Sequence, residues 1–342
     1  MTAAENAAFF HRMKAPLIAL KILLSLALFA YVVAKVSPRN VWETVRSAEP
    51  GFLLAAAALF LFSGFVGSWL WARLLRAQGV AIPYPRAASY YFVGLFFNNF
   101  LPSNVGGDIA RISDASKHAE HVSPVFSATL MDRLIGVVAI GLLAVIASTA
   151  ALGRLHLYAI YGATLAVFLV AVALFASIFN RSILEAFERP FRWIGARKIE
   201  AGIGRILDDL HGFRNERGAL VAAFMASSLV QVSRIYVHYL VGLSLGVRIP
   251  VAYYFLFVPV LAALVSLPIS LNGLGVREGM AVVLFQMAGL SREESFSIPF
   301  LTYAVSVVIS LLGGLIFISR PPRRAIERHL TRRRLAREKG GA

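Results

Sequence analysis

The chain has no cysteine and few charged side chains. The lack of Cys among its 342 residues excludes disulfides, thiolate nucleophiles and thiolate metal sites, and it leaves the redox compartment undetermined. Only 15% of the residues are charged, whereas 58% are hydrophobic. This balance is too apolar for an ordinary soluble domain, so it indicates a polytopic membrane protein.

The sequence also lacks the short motifs of several enzyme classes. It contains no P-loop, no H-E-x-x-H and no G-x-S-x-G. The adjacent pair Asp208 and Asp209 stands alone in a basic segment, and no spacing of His or carboxylate residues favours a metal site. We therefore expect no cofactor, and the sequence contains no recognisable catalytic motif.

Long apolar runs predict membrane-spanning helices. A helix needs roughly 20 apolar residues to cross a bilayer, and continuous runs favour helices over the alternating strands of a barrel. The first run has no convincing cleavage site, so we interpret it as an anchor rather than a signal peptide. The predicted spans are 15–36, 51–72, 122–151, 156–179, 219–246 and 296–318, within one domain over 15–320.

The distribution of basic residues predicts the topology. The net charge of +16 would fit a nucleic-acid partner, but the Lys and Arg side chains cluster at the edges of apolar runs, where topology and anionic lipids explain them. We expect no nucleic-acid partner. By the positive-inside rule we expect three basic segments on the cytoplasmic side: the N-terminus (1–14), the 180–218 insert and the tail (321–342). The membrane that we expect to hold the protein is the inner membrane of a bacterium.

Two segments, 87–118 and 252–290, contain helix-breaking residues within apolar sequence. They include FNNFLPSNVGGDIAR and LPISLNGLGVREG. If each were a single span, the basic insert and the basic tail would lie on opposite sides of the membrane. We therefore predict two re-entrant helical hairpins, the first entering from the cytoplasm and the second from the opposite face.

The two breaks resemble each other, since each contains Leu-Pro, Asn, Gly and then Arg. Corresponding interrupted segments of opposite entry are typical of inverted-repeat transporters, which bind substrate between the repeats. The fold class predicted is thus an all-α membrane bundle of about six spans and two hairpins, with an inverted repeat.

The 180–218 insert contains an amphipathic stretch. Ile199, Ile203, Ile206, Leu207 and Leu210 recur at helical spacing, opposite Arg205 and the two Asp residues. This pattern fits either a helix at the lipid interface or a connector whose apolar stripe packs on the bundle.

Ionisable side chains at membrane depth are candidates for function because their burial is expensive. Arg234 lies near the middle of its span, and Ser227, Gln231 and His238 follow the same helical face. A guanidinium there suits a lipid phosphate, which accepts bidentate hydrogen bonds. The alternative is an internal ion pair of Arg234 with Asp132 or Glu278.

Charged residues also follow each break. An acid such as Asp108 can cap free helix amides, whereas the basic Arg111 and Arg277 beside helix N-termini favour an anion site. The Asn residues near the breaks either bind substrate or satisfy broken backbone. Asp132 and Arg133 lie two to three turns into their helix, or mark its membrane edge. The candidate substrate-binding residues are Asn98, Asn99, Asn104, Asp108, Arg111, Asp132, Arg133, Gln231, Arg234, His238, Asn272, Arg277 and Glu278.

At these residues the chain resembles a known family. The N-x-x-x-P-x-x-x-G-G-D-x-x-R pattern of 98–111, the following Asp132-Arg133-Leu134 and the LPISLNGLGVRE stretch of 267–278 are similar to the transmembrane, flippase-like region of lysylphosphatidylglycerol synthases. The resemblance covers roughly residues 15–320. It implies movement of lipids between leaflets, whereas the soluble aminoacyl-transferase part of two-part members has no counterpart in this sequence.

The leading hypothesis is therefore a lipid translocase, a flippase or scramblase, for a phosphate-bearing or aminoacylated lipid. Its expected partners are membrane phospholipids or isoprenoid-linked lipids, with a lipid synthase or a second copy of the chain left open. Two alternatives remain: an intramembrane lipid-modifying transferase that uses a carboxylate base, and a non-catalytic scaffold for a synthase.

Overall fold

The fold was analysed in a computed structural model, which describes residues 38–100, 106–155, 158–181, 183, 197–266 and 273–320. These residues form α-helices, two single-turn 3-10 helices and connecting turns, without a β-strand among them. The all-helical prediction is confirmed. The α-helices are α1 (Pro38–Arg46), α2 (Pro50–Ala77), α3 (Tyr84–Phe100), α4 (Gly106–Ala115), α5 (Ser123–Leu155), α6 (Tyr158–Ser177), α7 (Arg197–Gly212), α8 (Arg217–Ser244), α9 (Val251–Ser266), α10 (Val276–Gln286) and α11 (Arg292–Ile318).

Four of these helices are long and apolar enough to cross a membrane, namely α2, α5, α8 and α11. They correspond to the predicted spans 51–72, 122–151, 219–246 and 296–318. The 20-residue α6 corresponds to the predicted span 156–179. The predicted first span (15–36), the N-terminal segment and the basic tail lie outside the described residues.

Apolar side chains cover the outside of this bundle. Leu54, Val170 and Leu315 are 72%, 58% and 64% exposed, as hydrocarbon-facing residues of a spanning helix are expected to be. The chain is thus a multi-pass helical membrane protein.

The helices α2 and α8 pack antiparallel, and the two ends of this pair belong to two different apolar cores. At one end the backbone NH of Glu49 donates to the Ser244 carbonyl over 2.8 Å, where α2 begins and α8 ends. The core at this end includes α9, α10 and the start of α11. The core at the other end joins the last turns of α2 to α3, α5, α7 and the start of α8. We call the second the basic end, because Arg73, Arg76 and Arg217 lie there.

The first hairpin consists of α3 and α4, which lie so close that two glycines meet. A Cβ on Gly107 would lie 1.9 Å from the Gly94 carbonyl oxygen, so no larger residue fits. The Tyr90 hydroxyl lies 3.1 Å from His118 Nε2, just beyond α4, so the hairpin begins and ends together at the basic end.

The second hairpin consists of α9 and α10. Its helices pack through Tyr254 and Phe285, with ring centroids 5.4 Å apart near the open end. Near its tip, Gly273 has a φ of 76° and lies against Val265. Since Tyr254 packs on Gly242 near the end of α8, this hairpin opens at the end opposite the first. The depth of either hairpin in a bilayer stays a prediction.

The amphipathic helix α7 packs on the bundle. Leu210 is buried in the core of the basic end. Gln78 Nε2 donates to the Asp209 carbonyl over 2.8 Å, and the Ser127 hydroxyl donates to the Ile206 carbonyl over 3.1 Å. Of the two interpretations of the insert, the structure favours the connector whose apolar stripe contacts the bundle.

Candidate functional site

An ion-pair cluster joins the first hairpin to α5. We define the hairpin cluster as Asp108, Arg111, Asp132 and Arg133. Arg111 donates from Nε to Asp108 Oδ1 over 3.0 Å and from Nη2 to Asp132 Oδ2 over 2.9 Å. Arg133 Nε donates to the other Asp108 oxygen over 2.9 Å. The cluster balances two positive against two negative charges, and it fixes α4 on α5.

Aromatic rings enclose Arg111, which is only 4% exposed. Its Cζ lies 5.1 Å from the Trp71 ring centroid and 5.4 Å from that of Tyr91. Trp71 is held in turn by a 3.0 Å hydrogen bond from its Nε1 to the Thr129 hydroxyl. One buried nitrogen of Arg111, Nη1, makes no hydrogen bond within the described part of the chain. Arg111 is thus mostly committed to its carboxylates but keeps one donor nitrogen.

Helix capping at the two breaks differs from one hairpin to the other. At the first break, the NH of Gly107 donates to Asn98 Oδ1 over 2.9 Å, so the amide side chain caps α4. The oxygens of Asp108 accept from Arg111 and Arg133 instead. At the second break the acid is the cap, since Glu278 Oε2 accepts from the Gly275 NH over 2.7 Å.

The second hairpin carries its own arginine beside an aromatic ring. Arg277 pairs with the fully buried Glu278, with its Nε 3.0 Å from Oε1. The Arg277 Cζ lies 4.4 Å from the ring centroid of Tyr303 on α11. Each hairpin therefore presents a guanidinium that pairs with a carboxylate and lies beside an aromatic ring.

The inner face of α8 carries the predicted polar stripe. Gln231 Nε2 donates to the Gly136 carbonyl of α5 over 3.3 Å, which turns this face toward α5. One turn further, the Arg234 Cζ lies 6.0 Å from the Phe60 ring centroid of α2. The buried Nε of Arg234 makes no hydrogen bond in the part of the chain that the structure describes, where Asp132 and Glu278 pair with Arg111 and Arg277 instead.

The two hairpins and the α8 stripe face a common region. The Tyr303 hydroxyl donates to the Asn99 carbonyl over 3.3 Å, and Asn99 Nδ2 donates to the Ser306 carbonyl over 3.4 Å. The tip of the first hairpin therefore contacts Tyr303, the residue whose ring lies beside the Arg277 guanidinium.

Charge interactions also relate Arg234 to the arginines of the two hairpins, Arg111 and Arg277. Tyr91 lies in Coulombic range of both Arg111 and Arg234. His238, whose Nδ1 is 2.9 Å from the Arg234 carbonyl, is in range of Arg234 and Arg277. We define the central site as Arg111, Arg234, His238, Arg277 and the residues that link them, Tyr91, Asn99 and Tyr303.

Two of the predicted residues, Asn104 and Asn272, lie outside the described residues. The aromatic partners Trp71, Tyr91 and Tyr303 were not among the predicted residues. Their contacts join positions 20 or more residues apart on other helices, and only the general attraction of Arg to aromatic faces could have indicated them. No group of three His, Asp or Glu side chains is placed to bind a metal ion among the described residues.

Arg234 leaves the central region with a positive charge that no described carboxylate balances, because the carboxylates beside Arg111 and Arg277 pair with those two arginines. A region with this charge can hold an anion. Guanidinium groups bind phosphate through paired, directed hydrogen bonds, and they do so more strongly in a medium of low dielectric constant. Apolar outer surfaces around such a region suit a ligand with a charged head and hydrocarbon tails.

Comparison with known proteins agrees with the architecture. The family model described as "Lysylphosphatidylglycerol synthase TM region" matches residues 18–337. Two relatives from Methanothermobacter thermautotrophicus, each described as a "UPF0104 membrane protein", are 24% and 26% identical to this chain. The first alignment covers 86% of this chain and 93% of the relative, and the second covers 81% and 85%. The chain therefore belongs to the family of the lysylphosphatidylglycerol synthase transmembrane region.

Proposed function

We propose that this protein moves a lipid with a phosphate-bearing or aminoacylated headgroup between the leaflets of the membrane. The observation that carries the proposal is Arg234, a cation on the inner face of a spanning helix without a carboxylate partner among the described residues. A guanidinium within a spanning helix that lacks a counterion is costly, and a lipid phosphate would supply the missing charge.

The two hairpins would control access to this site. They open at opposite ends of the bundle, and each brings an arginine toward Arg234. The glycine contact between α3 and α4 makes the first hairpin a rigid unit, because its helices cannot slide without a clash. Small tilts of each hairpin against α11 would expose the site to one leaflet at a time, while the acyl chains stay in lipid.

The orientation of the protein is part of the proposal. The basic end carries Arg73, Arg76 and Arg217, so the positive-inside rule places this end in the cytoplasm. The family relation also makes an aminoacylated phospholipid a natural first substrate to test, together with its anionic precursor and an isoprenoid phosphate.

Leaflet exchange in liposomes tests this function. We expect the purified chain to accelerate exchange of at least one headgroup-labelled lipid, and Arg234→Ala to slow it about tenfold or more, since a hydrogen bond to a charged group is worth roughly 1.5–3 kcal/mol. The matched control is Arg248→Ala, which removes an exposed arginine from the turn after α8 and leaves exchange unchanged.

Two outcomes would contradict the proposal. Exchange equal to that of empty liposomes for anionic, aminoacylated and isoprenoid lipids would exclude a translocase. Formation of a new lipid, detected by mass spectrometry, would instead indicate a lipid-modifying enzyme.

A further inference from the structure

A second lipid-facing feature lies on the outside of the bundle. Between α2 and α8 near the basic end runs a groove of about 710 Å³. Its lining is almost entirely apolar: Phe65, Val66, Trp69, Tyr84, Ala222, Met225, Ala226 and Leu229. We call it the outer groove.

The outer groove is built into the structure rather than left between loose side chains. The Tyr84 hydroxyl donates to the Phe65 carbonyl over 3.1 Å and lies 3.2 Å from Ser68 Oγ. These contacts hold the Tyr84 ring in place along one side of the groove. Phe65 is held by an edge contact with Phe92, at 5.1 Å between centroids.

The outer groove is separate from the central site. Ala222, Met225 and Leu229 share one face of α8, whereas Gln231 and Arg234 project from the opposite face at helical spacing. A ligand in the groove would therefore leave the central site free, and its binding does not depend on the proposed translocation.

A cation stands at the basic end of the groove. Arg73 follows Trp69 by one turn, and its Cζ lies 5.9 Å from the Trp69 ring centroid. The Nε of Arg73 is buried and makes no hydrogen bond within the described ranges. The distance along α2 from Phe65 to Arg73 is about 12 Å at 1.5 Å per residue, which is less than half of the hydrocarbon thickness of a bilayer.

We infer that the outer groove binds one acyl chain of an anionic phospholipid from the leaflet at the basic end, with the lipid phosphate on Arg73. An apolar channel along the membrane normal fits a hydrocarbon chain, and the guanidinium at its mouth fits the phosphodiester. The negative charge of the headgroup supplies a counterion that Arg73 does not find among the described residues, so an anionic lipid binds in preference to a zwitterionic one.

Native mass spectrometry of the full chain in detergent tests this inference. The protein is incubated with equal amounts of phosphatidylglycerol and phosphatidylcholine, and bound lipids are counted. We expect preferential retention of phosphatidylglycerol, a loss of about tenfold in Arg73→Gln, corresponding to roughly 1.4 kcal/mol, and partial recovery in Arg73→Lys. The matched control is Arg76→Gln, which removes an exposed charge of the same end.

A second pair of variants tests the hydrocarbon part of the site. Ala222→Phe fills the groove and is expected to lose both lipids, whereas Val221→Phe adds the same ring at a neighbouring position outside the groove lining and keeps them. Recovery in Arg73→Lys and the unfolding temperature of each variant separate lost binding from lost folding.

Three results would overturn the inference. These are equal lipid retention in Arg73→Gln and Arg76→Gln, undiminished retention in Ala222→Phe, and a dimer that Ala222→Phe dissociates without loss of lipid. The last result would show that a second copy of the chain covers the groove. None of them bears on leaflet exchange, which depends on Arg234.

Discussion

At the scale of single residues, the arginines of this protein fall into two groups. Arg111 and Arg277 are paired with carboxylates, whereas Arg234 and Arg73 each bury an Nε without a hydrogen bond among the described residues. Paired arginines hold helices together, although Arg111 also keeps one nitrogen without a hydrogen bond among the described residues. A guanidinium without a carboxylate partner is better able to bind an anion from outside. The same residue type therefore serves structure in one place and is a candidate for ligand binding in another.

Arg111→Gln tests the structural role of the hairpin cluster. The substitution leaves two carboxylates without their shared partner, and breaking a buried ion pair in this way costs roughly 3–5 kcal/mol. We expect a clear fall in the unfolding temperature in detergent. Unfolding is monitored by tryptophan fluorescence, to which Trp71 contributes from its position beside Arg111.

The control for this experiment is Arg39→Gln. Arg39 pairs with Glu43 at 3.1 Å, but its side chain is 87% exposed, and such pairs contribute little. Arg111→Lys keeps the charge but not the two-sided geometry, so it should fall between the two. Equal unfolding temperatures for Arg111→Gln and Arg39→Gln would contradict the role assigned to the cluster.

At the scale of helices, small residues set how closely the first hairpin approaches its neighbours. Gly313 on α11 faces the backbone of α3, and a Cβ there would lie 2.0 Å from the Phe92 carbonyl oxygen. A Cβ on its neighbour Gly314 would lie 2.8 Å from the ring of Phe96. The first hairpin therefore rests on α11 through backbone contact, the arrangement that glycines commonly allow between membrane helices.

Gly313→Ala should separate α11 from the first hairpin. The added methyl group meets backbone rather than a flexible side chain, and overpacking of this kind costs about 1–3 kcal/mol or more. We expect a lower unfolding temperature and faster hydrogen exchange in α3. Gly162→Ala is the control, because a Cβ at Gly162 meets nothing within 4 Å and alanine favours the helix; equal effects of the two variants would refute this packing.

Sequence alone predicted the helices better than their contacts. Apolar runs are continuous, so α2, α5, α8 and α11 were expected within a few residues of their observed ends. The Pro and Gly residues predicted interruptions between helices, and α3 and α4, like α9 and α10, are separate helices on either side of such a break. The sequence did not distinguish Asp108 from Glu278 as caps, since both follow a break; Asn98, nine residues before Gly107, caps the first hairpin. Partners of that kind depend on which helices pack together.

At the scale of the whole molecule, the end of the last helix closes back on the first hairpin. Arg320 binds Asp114 at the end of α4, donates to the Ser89 carbonyl at 3.5 Å, and lies 5.1 Å from the ring centroid of Tyr90. Lys117 binds the same carboxylate. We call this contact the basic-end clasp. The clasp contacts the open end of the first hairpin and Tyr303 contacts its tip, so α11 and the residues that follow it touch the hairpin at both ends.

The basic-end clasp predicts a specific loss of stability in acid. Asp114 lies outside the spanning helices. Burial by itself raises the pKa of its carboxyl, but hydrogen bonds and charges from Lys117 and Arg320 outweigh this and hold the pKa below its usual range. Because the folded pKa lies below the unfolded one, the clasp contributes fully above the unfolded value of about 3.9. The contribution is lost as the pH falls through the lower folded pKa.

Asp114→Asn measures this contribution, because it removes the titrating carboxyl and leaves a neutral side chain of similar size. We expect the unfolding temperature of the native protein to exceed that of Asp114→Asn near neutral pH. The two curves should begin to converge as the pH falls below about 4, the unfolded pKa, and should meet once the pH has passed the lower pKa of the folded carboxyl. Asp208→Asn is the control, since Asp208 pairs with Arg181 through side chains that are about half exposed. If the Asp114→Asn curve ran parallel to that of the native protein over the whole acid range, the carboxylate would not hold α11 on the hairpin.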